Sequence, residues 1–62
     1  MIKDKILKLL KDKRLATSRV ASKLNIDYAY TLKNLIELEL EGKVEREVET
    51  LAIYWILTSR EG

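Results

Sequence analysis

Three helices followed by a two-stranded β-hairpin, an α+β arrangement forming a single domain over residues 1–62, is the fold class the sequence predicts. Three observations predict it. Apolar residues recur at helical spacing through the first forty positions, the break "LNID" divides that region, and beyond Gly42 the pattern changes to the period of a strand. A chain of 62 residues that is 47% hydrophobic builds one small core and no second domain.

Ile2, Ile6, Leu9 and Leu10 recur at i, i+4, i+7 and i+8, the face of a first helix over roughly residues 2–12. Lys3, Asp4, Lys8 and Lys11 fall on its other sides. Lys13 to Ala16 interrupts the rhythm. Thr17 then offers a hydroxyl where a short second helix needs an N-cap, and Val20, Ala21 and Leu24 share that helix's apolar face. Asn25 suits the left-handed residue ending a helix, Ile26 plugs the core, and Asp27 caps a third helix starting at Tyr28.

On a wheel of the third helix, Leu32, Leu35, Ile36 and Leu38 form an inward arc with Ala29 and Leu40 at its edge. Tyr30, Lys33, Asn34, Glu37 and Glu41 lie opposite. Gly42 is the natural stop, after which Lys43 to Val48 alternates as a strand with Val44, Arg46 and Val48 on one side. "LAIYWILT" is the second strand, with the tip near Glu49 and Thr50. That run is apolar on both faces: Leu51, Ile53, Trp55 and Leu57 point one way, Ala52, Tyr54 and Ile56 the other.

Composition narrows the chemistry. The chain has no cysteine and no histidine, so disulfides, thiolate chemistry, the usual zinc ligands and the usual general base are all missing. No catalytic residue, metal site or cofactor is expected. Glu37, Glu39 and Glu41 read as solvated carboxylates, because Glu39 points away from the other two on a helix. The opening "MIKDKILKLLKDK" has no long apolar segment and the run 51–57 is too short to span a bilayer, so a cytoplasmic protein without a membrane partner is expected. The lack of Gln, Cys and Pro beside abundant Lys, Glu, Leu and Ile is compatible with a thermophile source.

Net charge is +2 but unevenly spread: residues 1–34 carry nine Lys or Arg against three acids, and residues 35–62 carry three against seven, or +6 and −4. A basic half suggests a polyanionic partner; the alternative is charge coating a small stable surface.

The order of these elements, with "LATSRVASKLNI", "LIELELEGKVER" and "YWILT", resembles the winged helix-turn-helix domain in a minimal MarR-like form. The matching pattern is a small apolar strand, a capping Thr, an Ala facing the turn, and a Leu and Ile that close it; the later segments resemble the end of a recognition helix and the two strands of a wing. The resemblance covers almost the whole chain. It implies binding to double-stranded DNA and transcription regulation. Its usual register would bury Thr31 and Asn34, which sits badly beside Leu32 and Leu35, so a turn one residue longer is expected. That places Tyr28, Ala29, Tyr30, Lys33 and Asn34 toward the major groove. The chain ends at "LTSREG", about where larger regulators begin a dimerisation helix, so no effector-binding domain and no small-molecule effector are expected.

Candidate DNA-binding residues follow. Lys33 and Asn34 are base readers, a donor to guanine and a two-way partner for adenine. Tyr28 and Tyr30 would bond phosphates or pack on sugars and thymine methyls, or Tyr28 would pack on the core edge. Thr17, Ser18, Arg19 and Lys23, at and after the start of the second helix, would lie over the phosphate backbone. The wing's Glu45, Glu47 and Glu49 around Arg46 are a poor match to a polyanion. Surplus apolar surface at Ala52, Tyr54 and Ile56, or at Leu7 of the first helix, would serve a homodimer interface. Rival readings are a winged helix used as a protein-protein interaction module, and a ribosomal RNA-binding winged helix.

Overall fold

A computed structural model of the chain describes residues 1–58. The elements run α1 (Ile2–Leu9), β1 (Leu15–Ala16), α2 (Thr17–Leu24), α3 (Tyr28–Leu40), β2 (Val44–Val48) and β3 (Ile53–Leu57). The expected hairpin is β2–β3, antiparallel from Val44↔Leu57 to Val48↔Ile53. A third strand completes the sheet: β1 pairs with the other edge of β3, Leu15 opposite Trp55, so the order is β1-β3-β2. Residues 59–62, the end of the "LTSREG" segment, lie outside the described residues.

α1 ends at Leu9, short of residue 12. Leu10 leaves helical geometry at φ −87°, ψ 2°. The physical reason is that Leu10 and Leu15 are both buried, so the few residues between them must turn back into the sheet. The α2–α3 turn forms as its residue types demand. Asn25 takes the left-handed conformation (φ 56°, ψ 49°), the Ile26 amide bonds the Ala21 carbonyl at 3.0 Å, and the Asp27 carboxylate accepts from the Tyr30 amide at 3.1 Å. Gly42, at φ 77°, closes α3 in a conformation that a Cβ would penalise, and the Lys43 amide returns to the Leu38 carbonyl.

The core is one cluster of Ile6, Leu10, Leu15, Val20, Leu35, Leu38, Val44 and Trp55. Trp55 is completely enclosed, and its indole Nε1 donates to the Thr17 hydroxyl at 2.7 Å. That hydroxyl in turn donates to the Ile53 carbonyl at 3.3 Å. Thr17 is therefore not the N-cap: it is the first residue of α2, its side chain is turned into the core, and no side chain caps this helix. A buried indole needs an acceptor, and Thr17 supplies it.

α3 also corrects an expectation. Thr31 and Asn34 are buried, and Leu32 and Ile36 are only partly so, while Ala29 and Leu40 lie exposed. The longer turn is thus overturned and the usual helix-turn-helix register holds. Both polar side chains are satisfied within the helix: Thr31 Oγ1 donates to the Asp27 carbonyl at 2.8 Å and Asn34 Nδ2 to the Tyr30 carbonyl at 2.9 Å. Hydrogen bonding to the preceding turn removes most of the cost of burial, so polarity alone does not turn these residues outward.

Candidate nucleic-acid interface

With 31, 34, 35 and 38 inward, 100° per residue sends 29, 33, 36 and 40 to the outer side of α3. Ala29, Lys33 and Leu40 are exposed there, with Ile36 half-buried between them. Tyr30 (47% exposed) flanks this stripe, and Tyr28 (50%) stands at its N-terminal end. The Lys33 ammonium lies 3.4 Å from Glu37, one turn on, which gives the stripe a single cation with an acidic neighbour.

α2 presents Ser18, Arg19, Ser22 and Lys23 outward. Among the described residues neither Arg19 nor Lys23 forms an ion pair, so both charges remain open to an anion. Ser18, Tyr28 and the hairpin-loop residues Leu51 and Ala52 line one cleft, which brings the starts of α2 and α3 beside the hairpin loop.

Of the eight residues predicted to meet DNA, six are exposed: Ser18, Arg19, Lys23, Tyr28, Tyr30 and Lys33. Thr17 and Asn34 are not. Thr17 is consumed by Trp55 and Ile53, and Asn34 by its own helix, so neither can reach a phosphate or a base edge without breaking a buried hydrogen bond. Leu7, Ala52, Tyr54 and Ile56 are half-buried. Leu7 packs against the core and borders a cleft with Leu57 and Thr58, whose hydroxyl is buried without a partner. Tyr54 and Ile56 lie on the outer sheet face opposite Glu47 and Glu45, but the Tyr54 ring is covered: the Arg14 guanidinium sits 4.0 Å above its centroid.

Arg14, one of the nine cations of residues 1–34, reaches the wing, 2.7 Å from Glu47 and 3.4 Å from Glu49. The hydrogen bond that Arg14 donates to Glu47 raises the Arg14 pKa above the ordinary arginine value. Arg46 bonds Glu39 through Nε and Nη2, and Lys3 of α1 binds Glu37 and Glu41 at 3.0 and 3.1 Å. Hydrogen bonding to Lys3, then to Lys33, holds the Glu37 carboxyl below the usual range, and Arg46 does the same to Glu39. Among the described residues Glu45 is the one glutamate without an ion pair. Arg14 thus engages two of the wing's three glutamates, but its one charge offsets only one of theirs. No local signal could have revealed the Arg14 pairs, because Arg14 and Glu47 are 33 residues apart.

No protein-family profile matches the sequence, and no curated protein matches it. Solved structures do. Reduced HlyU from Vibrio cholerae superposes with a TM-score of 0.90 at 24% identity, covering 95% of this chain and 62% of that one. The homodimeric winged helix-turn-helix DNA-binding domain from Mycobacterium bovis, a possible ArsR-family transcriptional regulator, gives 0.89 at 24% identity, with 94% and 54% covered. The adhesin competence repressor AdcR from Streptococcus pyogenes gives 0.85 at 28% identity, with 92% and 45% covered. This chain spans less than two thirds of each of them.

Proposed function

We propose that this chain, a winged helix-turn-helix domain, binds double-stranded DNA and acts in the cytoplasm as a small transcription regulator that occupies a site and excludes other machinery. The observation that carries the reading is the pairing of two surfaces: an outward α3 stripe with Tyr28, Tyr30 and Lys33, and an α2 that presents Ser18 with Arg19 and Lys23, cations without an ion pair among the described residues. A helix of 13 residues fits the major groove, and basic groups on the preceding helix neutralise phosphates as it enters. Structural likeness to the M. bovis DNA-binding domain and to a repressor supports the same reading. No described helix is long and apolar enough to cross a membrane.

Sequence preference would come from Lys33 and its neighbours on the stripe, and position on the duplex from Ser18, Arg19 and Lys23. The acidic wing would stay off the phosphates. A homodimer would present two α3 helices to one face of DNA, and the M. bovis neighbour is described as homodimeric. The Leu7 side suits self-association better than the Ala52, Tyr54 and Ile56 face, because Arg14 already covers Tyr54 whereas Leu7 borders an open, mainly apolar cleft.

One observation favours a second reading, a protein-interaction module: the wing exposes Val48 and Leu51, 71% and 94% accessible. Titrating the labelled protein with mixed-sequence duplex DNA and following amide shifts separates the two. Shifts confined to α2 and α3 support DNA binding, and no shift at any ratio rejects it.

A further inference from the structure

We propose that α3 distinguishes its DNA target chiefly by the 5-methyl groups of thymine, so that the preferred site is rich in A·T pairs under the outer stripe. The inference rests on the DNA-binding reading and concerns its chemistry. Ala29, Ile36 and Leu40 occupy the outer side around Lys33, and Leu40 is 82% exposed, a large apolar side chain with nothing of the described chain over it. In the major groove, thymine alone among the four bases presents a methyl group; the remaining edge atoms are donors and acceptors whose desolvation against an aliphatic side chain is unfavourable.

The polar readers on this helix are mostly spoken for. Asn34, which could have bonded adenine in both directions, is buried with its amide donating to the Tyr30 carbonyl. Glu37, the type that accepts from cytosine, is held by Lys3 at 3.0 Å and Lys33 at 3.4 Å. Lys33 has donors and no acceptor, so it bonds guanine N7 and O6, adenine N7 or thymine O4 and is blind to the adenine and cytosine amino groups. What remains to discriminate is aliphatic surface, supplemented by the half-exposed rings of Tyr28 and Tyr30. Arg19 and Lys23, without an ion pair among the described residues, supply the charge complementarity that holds such a stripe against a duplex.

Uracil isolates the methyl group, because it keeps thymine's pairing and hydrogen-bonding edge and removes only the C5 substituent. A preferred duplex is selected from a random pool, and each thymine is replaced singly by uracil. The expected result is a loss of about four-fold in affinity at each contacted position, the value of one buried methyl group. The exposed-site variants Ala29→Ser and Leu40→Gln should erase part of that thymine–uracil difference while leaving the salt slope unchanged, which a general loss of structure would not do. Equal affinity for thymine and uracil duplexes at every position, with binding intact, overturns this inference and leaves DNA binding standing. Failure to bind any duplex overturns the DNA-binding reading and this inference with it.

Discussion

The Arg46 guanidinium grips both carboxylate oxygens of Glu39, at 2.9 and 2.7 Å, and lies 5.1 Å over the Trp55 ring. The one arginine of the wing strands is thereby turned onto the back of α3, where it ties β2 to the helix that would enter the groove. A two-point pair fixes orientation as well as distance, and here it adds to the core packing of Leu35 and Leu38 with Val44 and Trp55 that holds α3 on the sheet.

This pair makes stability acid-sensitive. Arg46 holds the Glu39 carboxyl below its ordinary value of 4.5. The unfolded chain therefore takes up this proton first as pH falls, so the contribution is complete above the unfolded value and is lost through the lower, folded one. Glu37, lowered by Lys3, adds to the same limb. Thermal melts of wild type and Glu39→Gln should show the variant less stable at neutral pH and the gap closing toward pH 2. A gap independent of pH would mean that the pair contributes nothing.

Thr17→Val should destabilise the fold by about 1–3 kcal/mol, because the enclosed Trp55 Nε1 loses its acceptor. Thr17→Ser keeps the hydroxyl and should recover most of that loss. Neither variant should change the salt dependence of DNA binding under conditions where both are folded. Denaturant titration and binding at several ionic strengths check both statements.

Lys33→Ala should weaken DNA binding and, if the ammonium meets a base edge, relax preference at one position by about 1–3 kcal/mol. Arg19→Ala and Lys23→Ala should weaken all sequences alike, each making the logarithmic salt slope shallower by about one. Unaltered binding in all three variants would remove the interface from α2 and α3.

Replacing Glu45, Glu47 and Glu49 together by Gln should leave DNA affinity within a few-fold at moderate salt, since the wing is expected to stay off the phosphates and Arg14 already engages Glu47 and Glu49. Melting temperature should fall slightly as that contact weakens. A large gain in affinity would put the wing against the duplex, and a large loss would make the carboxylates part of the site.

Leu7→Gln should shift sedimentation equilibrium toward monomer and lower DNA affinity, while Tyr54→Glu should leave the mass unchanged. The reverse pattern would move the interface to the outer sheet face. A wild-type monomer at hundreds of micromolar would refute the dimer.

Local rules were enough for the punctuation of this chain. Asn25, Asp27 and Gly42 act through their own backbone and nearest turns, so the helix boundaries they govern are legible in one dimension. Alternation grouped Leu51, Ile53, Trp55 and Leu57 without showing which side faced inward; the last three pack in or against the core, while Leu51 lies in the hairpin loop and is exposed. The rotation of α3 was not legible. Hydrophobicity argued for Leu32 and Ile36 inward, but tertiary packing buried Thr31 and Asn34, whose side chains find carbonyl partners one turn back. Nor could the sequence assign its charges and hydroxyls to partners. Thr17 has the residue type of a cap, but Trp55, 38 residues away, takes its hydroxyl as acceptor, and Arg14 counts among the cations of residues 1–34, but the sheet carries Glu47 and Glu49 to it. Conformational preference is a property of neighbours along the chain, whereas the partner of a polar group is decided by which elements the fold brings within hydrogen-bond reach.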